Sequence, residues 1–161
     1  MLKVIELFAG IGSPRKALEK LNIKHEVVAF SEIDKHAIES YRAIHDDYVT
    51  PNLEDIKEIS YLPPCDLLTY GFPCPDISVA GKGEGIKEGT RSGLLYEVER
   101  LLEIGVILGT LPKYLVLENV KALTQKKHRQ QFDEWLEKLE SLGYTNYYQV
   151  LNAKDYGIPQ N

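Results

Sequence analysis

Apolar residues fall along this chain in two rhythms, short continuous runs and longer stretches with a 3.6-residue repeat, and the two alternate. Leu2 to Phe8 (LKVIELF), Glu26 to Ser31 (EVVAFS), Asp66 to Tyr70 (DLLTY) and Tyr114 to Leu117 (YLVL) are runs of strand length. Between them, Ala37, Ile38, Tyr41 and Ile44 recur at helical spacing, and Phe132, Trp135, Leu136, Leu139 and Leu142 mark one side of a later helix that stops at Gly143. Such alternation predicts βαβ units, a largely parallel sheet and a doubly wound α/β fold. Ser13 is the predicted cap and Pro14 the predicted first residue of a helix to about Leu21, and Asp34 caps the next, to about His45. Thr90 would cap a long helix to about Leu108, and Asn146 to Leu151 reads as a last strand. Leu53 to Ile56 reads as a short strand or a turn. The stretch carrying Gly81, Gly83, Gly85 and Gly89 reads as a long mobile loop, because glycine holds no side chain with which to anchor it.

Composition narrows the class. The 161 residues suit one domain, with 43% hydrophobic and 27% charged residues near globular averages and no repeat or biased segment. With 19 basic and 24 acidic residues the net charge is −5, which argues against holding nucleic acid by bulk electrostatics over the whole surface. Two cysteines, Cys65 and Cys74, are too few for a disulfide scaffold, and MLKVIELFAG lacks the features of a secretory signal. A reducing, cytoplasmic setting is expected. No apolar run approaches the roughly 20 residues that cross a bilayer, so no membrane partner is expected.

The chemistry gathers at strand ends. Ala9-Gly10-Ile11-Gly12 joins the first strand to the first helix, where backbone N–H groups can face a ligand. A dinucleotide fingerprint G-x-G-x-x-G would need glycine at position 15, and Arg15 stands there, so an adenosine ligand without a pyrophosphate fits better than NAD. Glu32, 22 residues after Gly10, lies where an acid accepts from ribose hydroxyls, although position alone reads equally well as an exposed acid. Cys74 sits between Pro73 and Pro75 directly after a strand; alone it is more often a small core residue. With Glu118-Asn119 ending a second strand at the same edge, a nucleophile with an acid partner becomes the better reading. Cys65 reads as a structural thiol. No histidine lies at ligand spacing from either cysteine, so no metal site is expected. Lys121, Lys126, Lys127, His128 and Arg129 could face phosphates, but a solvated helix start is the plainer reading.

On these residues the chain resembles the C5-cytosine DNA methyltransferases from Leu2 to Asn161. Glu6-Leu7-Phe8-Ala9-Gly10-Ile11-Gly12 is similar to the family's cofactor motif, and Gly71-Phe72-Pro73-Cys74, followed by Ser78, Ala80 and Gly81, to its catalytic loop. Arg91 to Leu95, Glu118-Asn119-Val120 and Asn152 to Gln160 match three further motifs in the family's order. The resemblance implies S-adenosyl-L-methionine as cofactor, with Phe8 against the adenine, Gly10 and Gly12 near the methionine part, Glu32 on the ribose and Asp55, followed by Ile56, on the adenine amino group. It also places Ala9, Ile33, Gly71 and Pro73 in that pocket. Cys74 would attack C6 of a cytosine flipped out of double-stranded DNA, Glu118 would stabilise its N3 side, and Asn119 would orient the loop or the acid.

The resemblance therefore implies a DNA (cytosine-5-)-methyltransferase of the bacterial or phage restriction-modification kind. A tRNA cytosine methyltransferase, or a non-catalytic cofactor-binding fragment, are the other readings it leaves. Three departures stand out: Pro75 replaces the usual Gln, Ser13 replaces a glycine, and the sequence stops within the Gln160 motif. The last leads to the expectation of one incomplete catalytic domain over residues 1–161. It would lack a C-terminal strand, a final helix and the target-recognition domain, and a second polypeptide would supply them.

Overall fold

The computed structural model describes residues 1–73 and 92–158; Cys74 with the glycine-rich stretch after it, and Pro159 to Asn161, lie outside the described residues. Four strands, β1 (Leu2–Leu7), β2 (His25–Ser31), β3 (Leu67–Tyr70) and β4 (Tyr114–Leu117), form one sheet in the order β2-β1-β3-β4, every pair parallel. The helices are α1 (Ser13–Lys20), α2 (Lys35–His45), α3 (Leu95–Leu108) and α4 (Arg129–Ser141). Residues 1–120, with the whole sheet, make one compact unit, and residues 121–161, with α4, make another.

The strand order follows from where the apolar runs are. β1 and β3 lie inside the sheet and bury Val4, Ile5, Leu7, Leu67, Leu68 and Tyr70, so their apolar runs are continuous. β4 lies at an edge, and its exposed Tyr114 and Val116 alternate with half-buried Leu115 and Leu117. From β1 the chain goes first to β2 on one side and later to β3 on the other. That reversal makes a topological switch point, and the crevice at the carboxyl ends of β1 and β3 is where doubly wound sheets hold their ligands.

Three local expectations are corrected. Ser13 is the first helical residue of α1, not its cap; Gly12 takes the cap position with φ +76° and has no side chain with which to cap the helix. The third helix begins at Leu95 after a single 3-10 turn at Ser92–Leu94, while Thr90 lies outside the described residues. Asn146 to Leu151 forms no strand, because no described strand pairs with it and its side chains turn to α4 instead. The Asn146 amide donates to the Leu136 carbonyl (2.9 Å), and the Tyr148 ring meets Phe132 edge-on at 5.2 Å.

A buried acid interrupts the apolar run of β1. Glu6 is wholly enclosed; its Oε2 accepts from Tyr41 Oη (2.7 Å) and its Oε1 from the Arg15 backbone N–H (3.0 Å). Burial pushes its carboxyl up, against the pull of those two donors. Next to it the Arg15 guanidinium meets Asp47 Oδ2 at 2.6 Å. Burial would raise the Asp47 carboxyl too, but the Thr50 hydroxyl and N–H, Arg15 and the Val49 N–H outweigh it and hold Asp47 well below the usual carboxylate range. A depressed carboxylate contributes stability above its unfolded value, near 3.9, and loses it as the pH falls toward the folded value. Asp47→Asn is therefore expected to cost about 2–4 kcal/mol in urea unfolding at pH 7 by stranding Arg15, with the gap to wild type closing below about pH 4.

Candidate active site at the carboxyl edge of the sheet

The turn after β1 is drawn tight. Phe8 and Gly10 take left-handed backbone (φ +55° and +54°), and the Gly12 N–H returns to the Ala9 carbonyl at 2.8 Å. The two glycines answer different needs. Among the described residues a Cβ on Gly10 would meet nothing within 4 Å, whereas one on Gly12 would strike His45 Nε2 and lie 2.7 Å from Tyr41 Cε2. Tyr41 stacks on Phe30 at 4.3 Å, and His45 bridges the Ile11 carbonyl (3.2 Å) and Glu19 Oε1 (3.3 Å). The turn thus presents one face to the crevice and rests its other face on α2.

Glu32 follows β2 and reaches the same turn. Its Oε2 accepts from the Gly10 N–H (2.8 Å), and its Oε1 from the N–H groups of Ile33 and Asp34 (2.9 Å each). A carboxylate offers about four lone-pair sites, so these bonds leave room for a further donor on Oε2. Asn52 is a site residue the sequence reading missed. Its Oδ1 accepts from the Glu32 and Glu54 N–H groups (3.1 and 3.0 Å), and its Nδ2 donates to the Glu32 carbonyl (2.9 Å). An Asn in Pro51-Asn52-Leu53 directly after a helix and loop is the signal that marks it, since such amides fasten loops.

In place of the strand or turn read at Leu53 to Ile56, a lone bridge joins Phe30 to Asn52, and Asp55 caps a 3-10 turn over Ile56–Glu58 by accepting from the Lys57 N–H at 3.0 Å. Ile56 points into the core. Ile33, beside Glu32, is exposed, Phe8 is half-buried and Ala9 is buried.

The ends of β3 and β4 form the other wall. The Glu118 N–H donates to the Tyr70 carbonyl (3.3 Å), and a Cβ on Gly71 would lie 3.4 Å from Glu118 Oε2, so glycine lets the acid lie against the chain. Asn119 Nδ2 donates to the Phe72 carbonyl (3.2 Å), tying the start of the Gly71-Phe72-Pro73 segment to the Glu118 strand end. That segment leads into Cys74, which, with Pro75, Ser78, Ala80, Gly81, Arg91 and Gln160, lies outside the described residues.

Cys65 stands at the opposite, amino end of β3, half-buried, its thiol pushed up to about 12 by burial and then by the Asp66 carboxylate. In the second unit the basic cluster is divided: His128 is buried, and Arg129 is spent on Asp133 at 2.8 Å. Among the described residues no group of His, Cys, Asp or Glu is arranged to hold a metal ion, and no helix is long and apolar enough to cross a membrane.

The family model for C-5 cytosine-specific DNA methylases matches residues 2–161. The type II methyltransferase M2.ScrFI of Lactococcus lactis subsp. cremoris is 40% identical, aligned over 100% of this chain and 59% of its own length. The orphan methyltransferase M.SssI of Spiroplasma monobiae is 36% identical over 99% of this chain and 56% of its own. The chain thus spans a little over half the length of these relatives. The crystal structure of the S. pombe Dnmt2 methyltransferase shares the fold, with a TM-score of 0.58 at 23% identity, covering 85% of this chain and 39% of that one.

Proposed function

Because the chain belongs to the C-5 cytosine-specific DNA methylase family, we propose that its crevice binds S-adenosyl-L-methionine and that Cys74 and Glu118 carry out methyl transfer to C5 of a cytosine turned out of double-stranded DNA. The supporting observation is that the Gly10 face, the Glu32 carboxylate and the Gly71–Glu118 contact all lie at the carboxyl edge of one sheet, beside its switch point. The residues fit the cofactor. Gly10 leaves a cradle that a side chain would fill, Glu32 keeps acceptor capacity for a ribose hydroxyl, and exposed Ile33 with Phe8 offers apolar surface for an adenine. Asp55 is the acceptor for the adenine amino group, while the inward side chain of Ile56 limits that residue's share to its backbone.

S-adenosyl-L-methionine, when bound, supplies an electrophilic methyl group on a sulfonium sulfur. The protein's task is to make C5 a nucleophile, because an aromatic pyrimidine does not attack such a methyl group while its conjugation is intact. The Cys74 thiolate adds to C6, forming an S–C6 bond and sending the C5–C6 π electrons toward C5. Glu118, held against Gly71, keeps a proton at N3 so that negative charge does not build on the ring. Asn119, tied to the Phe72 carbonyl, positions Glu118 relative to the Cys74 segment. After C5 has taken the methyl group, the N3 proton returns to Glu118, the C5 proton leaves to water, and its electron pair re-forms the C5–C6 double bond as the S–C6 bond breaks and the thiolate is restored.

This reaction is proposed for a catalytic unit of the relatives' length. The 161 residues alone are expected to bind the cofactor weakly and to transfer methyl groups only when a second polypeptide or a fusion supplies the rest.

Titration calorimetry on the chain tests the cofactor site. S-adenosylhomocysteine is expected to bind and NAD not, and Glu32→Ala to weaken S-adenosylhomocysteine roughly tenfold to a hundredfold, the worth of a charged hydrogen bond lost in a half-dry site. NAD binding more tightly than S-adenosylhomocysteine would overturn the assignment.

A further inference from the structure

The turn that opens the site has the outline of a phosphate-binding loop, a strand running through glycines into a helix, yet the N–H groups of Ala9, Gly10, Gly12, Arg15 and Lys16 are spent inside the protein. The Ala9 N–H goes to the Ser31 carbonyl, Gly10 to Glu32, Gly12 to the Ala9 carbonyl, and Lys16 to the Gly12 carbonyl. Pro14, in the first turn of α1, has no N–H to give. The Arg15 N–H, which in an anion site would face a phosphate, points instead at the enclosed Glu6 carboxylate. The Arg15 guanidinium is turned onto Asp47 and Tyr41. Where a helix offers an anion about half a positive charge, this one already has an acid side chain seated beneath it, its two oxygens accepting from the Arg15 N–H and the Tyr41 hydroxyl.

We propose that Glu6 is a specificity-determining residue of the cofactor site: from inside β1 it caps α1, and together with Pro14 it bars adenosine ligands that carry phosphate while admitting those that do not. The inference rests on the cofactor reading above. It gives Arg15, the residue that breaks the dinucleotide fingerprint, a structural counterpart: its side chain is anchored on Asp47 and Tyr41 while its N–H serves the capping acid. Glu6 does this without touching the ligand, through the charge and donor supply of the turn.

Adenosine and ADP are the probes, titrated calorimetrically into the chain at pH 8 with no divalent cation. Wild type is expected to prefer adenosine to ADP by at least about tenfold. Glu6→Gln keeps an oxygen for the Arg15 N–H and removes the charge, and Pro14→Ala restores a donor. Each is expected to narrow the preference several-fold while adenosine affinity changes by less than about threefold. A merely structural role would weaken both ligands together and leave their ratio fixed, so an unchanged ratio in both variants overturns the proposal. Should Glu6→Gln fail to fold, the ratio for Pro14→Ala decides alone. Wild type binding ADP as tightly as adenosine also overturns it, while leaving the adenosine site intact. If wild type binds neither probe, or if Glu32→Ala changes neither, the cofactor reading itself falls and this inference with it.

Discussion

Cys74→Ala is expected to lower methyl transfer to a cytosine-containing duplex by at least roughly a thousandfold, measured as tritium passed from labelled S-adenosylmethionine by the chain carried at its relatives' length. The effect is large because the thiol is not one contributor among several. Without addition at C6 the ring keeps its aromatic stabilisation, and nothing else proposed for the site makes C5 electron-rich. Glu118→Gln is expected to cost less, roughly a hundredfold, because an amide beside Gly71 can still donate to N3 but cannot follow the change in charge. Cys65→Ala in the same assay should change little. That thiol stands at the amino end of β3, and with its ionisation pushed up to about 12, on the order of one molecule in ten thousand is a thiolate at pH 8. A Cys74→Ala chain that retained a tenth of wild-type transfer would show that the nucleophile lies elsewhere.

Gly12→Ala is expected to cost about 2–4 kcal/mol in urea unfolding. Left-handed backbone at φ +76° costs a non-glycine residue about 1 kcal/mol. The new Cβ also falls 2.7 Å from Tyr41 Cε2, and that ring cannot yield cheaply. It stacks on Phe30 at 4.3 Å, and its hydroxyl holds buried Glu6 at 2.7 Å. Overpacking of this kind costs about 1–3 kcal/mol. Gly10→Ala is the control. It meets nothing within 4 Å among the described residues, so only the backbone term of about 1 kcal/mol applies, and its main effect should be on cofactor binding. Equal losses at the two positions would mean that Gly12 is not packed as described.

Much of the sheet was legible because burial writes itself into sequence. β1, β3 and β4 appear where the apolar runs are, and β2 begins one residue before its run, at His25. The Asp34 cap is found where predicted, accepting from the His36 and Ala37 N–H groups, since a short acid before a periodic helix has few other uses. Asn146 to Leu151 misled for the converse reason. A run of tyrosines with Val150 and Leu151 suits a strand only where another strand lies beside it, and here Asn146 and Tyr148 find α4 instead. Ser13 has the chemistry of a cap, but the turn needs left-handed backbone one residue earlier, and glycine supplies it.

At the site, Glu32 could be located by its distance from Gly10, but not the three N–H groups it already holds. Those depend on how the chain folds back after β2. The partners of Glu6 and Asn52 lie beyond the sequence for a related reason. One is an acid inside an apolar run and the other an amide in a loop, and only the packing of Tyr41, Arg15 and the β2 end gives them partners. That Gly71 and Glu118 touch follows from β3 and β4 being neighbours, a fact of topology that spacing along the chain does not contain.

The chemical identity of the trapped complex shows which residue attacks the cytosine. The chain, at its relatives' length, would be incubated with S-adenosylmethionine and a duplex carrying 5-fluorocytosine, which cannot lose its C5 substituent as a proton. The covalent product is then digested and its cross-linked peptide sequenced by mass spectrometry. One peptide is expected, containing Cys74, joined through sulfur to a ring bearing both fluorine and the transferred methyl group, and formed only when cofactor is present. A cross-link at Cys65 or at any other residue, or methylation of ordinary cytosine with no trapped complex on the fluorinated duplex, would contradict that assignment.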